Sequence, residues 1–184
     1  MDSLVRFYRK NVAKLGTSEA LPESKFVEKI VNLPMCNCDR QIFVEENFDP
    51  SQEDNFTTCS QHAFLRGPNQ KVIAYSYYGD PNSTKSQKKQ YFNGIFKNYQ
   101  AIQDSYPNWI MRLYHDLDPK DKQFGELCEF ACKNPNLDLC DIRSIPGLGN
   151  VQNLFPMIWR FLSTLDSQVS HFMSRDLDCL TYNR

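Results

Sequence analysis

The segment Lys71-Val72-Ile73-Ala74-Tyr75-Ser76-Tyr77-Tyr78-Gly79-Asp80-Pro81 decides how this chain is read. From Val72 to Tyr78 every residue is β-branched, aromatic or small and none is charged. Gly79-Asp80-Pro81 then closes the run with turn chemistry. A continuous apolar run of this length suits a strand covered on both faces, as in a parallel sheet. Downstream, Tyr91, Ile95, Phe96, Tyr99 and Ile102 recur at helical spacing ahead of Pro107, which predicts a helix over 88–106. The same reasoning predicts strands over 109–114, 137–142 and 169–173, and helices over 120–132 and 154–165. Strands alternating with helices require crossover connections. The predicted fold is α/β: a mostly parallel, Rossmann-like sheet with helices on both faces.

Upstream the pattern is different. Residues 1–24 carry apolar positions Leu4, Val5, Phe7, Tyr8, Val12 and Leu15 among basic ones before Pro22, the pattern of a short amphipathic helix or a stem. Residues 36–68 hold three cysteines and many Asp, Glu, Asn and Gln without sustained periodicity, so irregular structure is predicted, with one or two short strands, including 41–45. The expected organisation is an N-terminal stem or irregular segment over 1–69 and an α/β domain over 70–184.

Composition narrows the function classes. With 184 residues, 41% of them hydrophobic, the chain fills one core. Twenty-one Lys and Arg against 22 Asp and Glu leave a net charge of -1, without the basic field that drives nonspecific nucleic-acid binding. No run of about 18 apolar residues is present, so no membrane segment is expected in this chain, and residues 1–16 lack the apolar core of a signal peptide. Two glycosylation sequons, at Asn55 and Asn82, point to a secretory lumen (Golgi or secreted) if the N-terminus is truncated, and otherwise the chain reads as cytoplasmic.

Seven cysteines leave an odd thiol. Cys36 and Cys38, with Cys59 and His62 about 20 residues on, offer two readings: a tetrahedral zinc site, or disulfides in which Cys59 pairs with Cys36 or Cys38. Cys128 and Cys132 lie four apart on one face of a predicted helix and are expected to pack, and Cys140 is expected in the core.

In a sheet of this kind ligands bind at the carboxyl ends of the strands. The residues placed there are Tyr77, Tyr78 and Gly79, then His115, Asp116 and Asp118, then Asp141 and Arg143, and last Arg175, Asp176 and Asp178. Asp176-Leu177-Asp178 is the sharpest signal. Two carboxylates two residues apart at a strand end can each give an oxygen to a hard divalent cation, leaving its other positions to water and a diphosphate. The same triplet also serves as an ordinary solvated turn.

Residues 71–178 resemble the nucleotide-sugar-binding half of glycosyltransferases of the A fold, through the opening strand ending in Gly79, the lone Arg160 upstream, and the closing Arg175-Asp176-Leu177-Asp178. They also resemble invertebrate glycosyltransferase-like proteins of unassigned activity. The resemblance implies a nucleoside diphospho-sugar as ligand, Mn2+ or Mg2+ on Asp176 and Asp178, and Tyr77, Tyr78, Gly79, Asp116, Arg160 and Arg175 around the nucleotide sugar. Aromatic faces stack on bases, and a carboxylate accepts two hydrogen bonds from a diol or an imide. The family continues past its acidic motif into an acceptor-binding half, whereas here the chain stops six residues after Asp178. The catalytic residues and the acceptor are therefore unassigned. The alternative expectation is a non-catalytic sugar-nucleotide-binding or pseudoenzyme module.

Overall fold

The computed structural model describes residues 26–51, 55–79 and 84–179, so the expected helix or stem over 1–24 lies outside the described residues. An antiparallel hairpin, β1 (Phe26–Leu33) and β2 (Cys38–Glu45), precedes the short helix α1 (Gln61–Leu65). Then follow β3 (Gln70–Tyr77), α2 (Lys85–Ser105), β4 (Ile110–His115), α3 (Lys122–Lys133), β5 (Leu137–Asp141), a 3-10 helix (Pro156–Leu165) and β6 (Val169–Ser174). The last four strands form one all-parallel sheet in the order β5-β4-β3-β6.

Alternation along the strands divides the core into two clusters, one on each face of the sheet. Ile73, Tyr75 and Tyr77 of β3 face α2 and α3, joining Ile95, Ile102 and Leu127 in one cluster. Val72 and Ala74 face the other way, into a second cluster with Tyr114, Cys140, Trp159 and Leu162. Helix α2 starts where the sequence supplies a reciprocal cap: the Thr84 hydroxyl accepts from the Gln87 amide, and the Gln87 side chain accepts from the Thr84 amide.

Residues 154–165 do not form the expected α-helix. The buried positions Trp159 and Leu162, with Leu165 packed alongside, repeat every three residues, which is the period of a 3-10 helix, and Pro156 opens it.

The strand expected over 41–45 is present, and the irregular structure expected around it is corrected where β2 begins earlier, at Cys38, and pairs with β1 as a hairpin. Strand β2 is eight residues long and buries Arg40, Ile42 and Val44 on one face. A charged residue in an inward position hid the alternation. Arg40 is accepted there because its guanidinium pairs with Asp138 at 2.8 Å, and Asp138 also takes three bonds from Arg66. A second buried pair, Arg112–Asp166 at 2.7 Å, ties β4 to the end of the 3-10 helix, while Arg112 also donates to Gln70.

The cysteine expectations are corrected as well. The disulfides are Cys36–Cys128, Cys38–Cys132 and Cys59–Cys140, and Cys179 is free and exposed. Cys59 bonds neither Cys36 nor Cys38, and Cys128 and Cys132 react where packing alone was expected. The reason is geometric. A 3-10 turn (Pro34–Cys36) followed by Asn37 at φ 51° brings Cys36 and Cys38 against the face of α3 on which Cys128 and Cys132 sit one turn apart. The zinc reading falls with this pairing, since all three candidate thiolates are oxidised and His62 Nε2 instead meets the Asn32 carbonyl. Three disulfides point to an oxidising, secretory-type environment. No described helix is long and apolar enough to cross a membrane.

Candidate functional site

The strand order gives the site its position. After β3 the chain moves outward on one side through β4 and β5, then returns to place β6 on the other side of β3. This reversal leaves a crevice beyond the carboxyl ends of β3 and β6. A cleft of about 640 Å³ opens there, within the size range of small-ligand sites.

Eight of the expected residues line it: Tyr77, Tyr78 and Gly79 from β3, Asp116 and Asp118 after β4, Arg160 on the 3-10 helix, and Asp176 and Asp178 after β6. Arg175 does not. Its amide continues the ladder onto Ala74 O and its carbonyl accepts from Arg160, while its side chain lies outside the cleft lining. Lys88 and Tyr91 of α2, Asp121 and Gln123 also line the cleft. Sequence reasoning did not select Lys88 and Tyr91, although their three-residue spacing at the start of a helix following the apolar strand was available as a signal.

Each wall is held by identifiable contacts. The Tyr77 ring packs 5.8 Å from Phe92 and its hydroxyl donates to Gln123 Oε1 at 3.0 Å, with burial pushing its ionisation up. Tyr78 packs edge-on to Trp159. A side chain at Gly79 would meet nothing within 4 Å, so the described protein leaves the approach to this backbone open. Burial raises the Asp116 carboxyl above its ordinary value, against the opposing pull of the Gly79 amide, which hydrogen-bonds it. Beside it, His115 is fully buried, and neither ring nitrogen has a hydrogen-bond partner among the described residues. Burial pushes its pKa down to about 4 against the attraction of Asp141, whose carboxylate is gripped by Arg143 through two bonds of 2.8 Å.

The acidic motif is aimed by its middle residue. Leu177 is buried against α2, and its carbonyl accepts from Asn98 at 3.1 Å. Asp176 and Asp178 flank this anchor and stay exposed on the cleft. Asp176 is paired with Arg160, whose backbone amide is fixed to Ser76 Oγ at 3.1 Å. Among the described residues no three His, Cys, Asp or Glu side chains converge as a cation site.

The anchor depends on Gly94, where a β-carbon would lie 2.2 Å from the Leu177 carbonyl oxygen. Gly94→Ala is therefore expected to destabilise the protein by about 1–3 kcal/mol, although an exposed helical site would gain about 1 kcal/mol from the same change. Urea unfolding checks this, and a stabilised variant would show that Leu177 is not held as described.

No protein-family model, curated protein or solved structure matches the chain. The functional reading therefore rests on the geometry of the cleft.

Proposed function

We propose that the cleft binds a nucleoside diphospho-sugar as the donor site of an A-fold glycosyltransferase-like protein, with Asp176 and Asp178 holding Mn2+ or Mg2+. The observation that carries this reading is the meeting of the Tyr77–Gly79 strand end and the Asp176–Asp178 strand end at the reversal of strand order. The donor set suits the group, because hard cations are commonly held by one or two carboxylates, with water and substrate phosphates completing the shell. Charge argues the same way. Five Asp side chains against Lys88 and Arg160 line the cleft, a balance that repels a bare diphosphate. A bound divalent cation would supply the positive charge that offsets this repulsion. Tyr78 offers the half-buried ring for a base, with the buried Tyr77 ring backing that wall against Phe92, while Asp116 would accept from a ribose or base edge and Arg160 would reach a phosphate. The environment proposed is the lumen of the Golgi or the outside of the cell, and the acceptor is left open.

A second reading, a non-catalytic sugar-nucleotide-binding module, is favoured by one observation. Strand β6 pairs with β3 alone and forms the sheet edge among the described residues, so no described wall faces the donor from that side. Release of free sugar from a labelled nucleotide sugar separates the two readings, since only a catalyst gives turnover.

Donor binding itself is tested by thermal unfolding. Uridine or guanosine diphosphate at about 100 times its Kd, with Mn2+, should add about 2.7 kcal/mol of stability, or roughly 5–10 °C in Tm. Asp176→Ala combined with Asp178→Ala should abolish the Mn2+-dependent part. Equal shifts in parent and double variant would leave the acidic pair as a solvated turn.

A further inference from the structure

We infer that Arg160 and a divalent cation compete for the Asp176 carboxylate, and that Arg160, once displaced, pairs with the diphosphate of the ligand. The inference rests on the donor-site reading and concerns how that site is loaded. Arg160 bonds Asp176 Oδ1 and the Arg175 carbonyl, the latter at 3.0 Å, and both bonds run through Nη1. Its Nε is shielded from water and has no partner among the described residues. A guanidinium normally engages a carboxylate through two parallel bonds, and leaving a buried donor unpaired is costly. The contact with Asp176 thus leaves much of the fork's bonding capacity unspent.

The two partners also differ in exposure. The Asp176 side chain is 53% exposed and that of Arg160 only 12%. An ion pair open to water on the carboxylate side is weak enough to yield to a doubly charged ion. Arg160 does not leave the site when it yields. Its backbone amide stays on Ser76 Oγ at the end of β3, and its side chain remains on the cleft wall. The freed fork then has the geometry for bidentate contact with phosphate oxygens, which Lys lacks.

The test uses the intact, disulfide-bonded chain and its Arg160→Ala, Arg160→Lys and Asp176→Asn variants, with calorimetric titration of Mn2+ alone and of uridine diphosphate in saturating Mn2+. Removing the competitor should make Arg160→Ala bind Mn2+ alone on the order of fivefold more tightly than the parent. The same variant should bind uridine diphosphate with Mn2+ about tenfold more weakly. Arg160→Lys, which keeps the charge and guards against a folding defect in the alanine variant, should bind Mn2+ as the parent does and still lose diphosphate affinity. If Arg160→Ala and the parent bind Mn2+ equally while Asp176→Asn loses it, the competition is disproved and the donor site stands. If no form binds uridine diphosphate with Mn2+, the donor reading falls, and the Mn2+ titration still decides the competition. Absence of Mn2+ binding in every form would overturn both.

Discussion

Asp138→Asn should lower the stability of this protein by about 3–5 kcal/mol, the range found when one partner of a buried ion pair is removed. Asp138 is fully buried at the start of β5, with Arg40 of β2 on one side and Arg66 beyond α1 on the other. Asparagine keeps the shape and loses the charge, so two buried guanidinium groups are left without a counter-ion. Against a total stability of about 5–15 kcal/mol this is a large fraction, equivalent to roughly 10 °C in Tm. Denaturant unfolding at neutral pH gives the measurement. A loss below about 1 kcal/mol would mean that the two arginines find other partners or reach water.

The same pair sets an acid limit. Burial alone would raise the Asp138 carboxyl, but Arg66 and Arg40 overcome it and hold the pKa at about 2. The folded value lies below the unfolded value of about 3.9, so the stabilisation is complete above pH 4 and is lost as pH falls toward 2. His115 acts earlier. Its folded pKa is below its unfolded one, so the unfolded chain takes up the proton first, and stability declines from about pH 6.5 down to about pH 4. Acid unfolding of the parent should therefore begin above pH 4. Asp138→Asn should remove the component below pH 4 and leave the His115 component in place.

Disulfide loss is the second large effect. The three bridges close loops with sequence separations of 92, 94 and 81 residues, and loop-closure entropy for loops of this size is worth about 4–5 kcal/mol each in the chain-entropy model. The bridges act on different parts. Cys59–Cys140 ties the segment before α1 to β5 in the second cluster, so replacing both cysteines by Ala should lower global stability by about 4 kcal/mol. Cys36–Cys128 and Cys38–Cys132 instead clamp the β1–β2 hairpin to α3, and a two-stranded hairpin is marginal by itself in water. Replacing Cys36 and Cys38 together should raise amide exchange across residues 26–45 well before β3 and β4 exchange. Unchanged hairpin protection would show that Arg40 and Leu33 hold it without the bridges.

The α/β alternation from residue 70 onward was legible because each element carries its own period: a continuous apolar run for β3, and three- and four-residue spacing for α2. The strand-end candidates followed from it, since a parallel sheet sends every strand end to the same side. Tyr77, Gly79, Asp116 and Asp176 needed no further information to be placed near one another. Their meeting in one cleft, with Arg160 on Asp176, depended on β6 settling beside β3 rather than beyond β5, a choice between sheet edges that no local period encodes. The buried charges were hidden for a related reason. Nothing local marks Arg40, Arg66 and Arg112 as buried, because the carboxylates that admit them to the interior, Asp138 and Asp166, lie 98, 72 and 54 positions away in the chain. The disulfides follow the same rule: the sequence alone determined that thiols were present and odd in number, and only tertiary packing, which brings the hairpin turn onto one face of α3, decided which of them met.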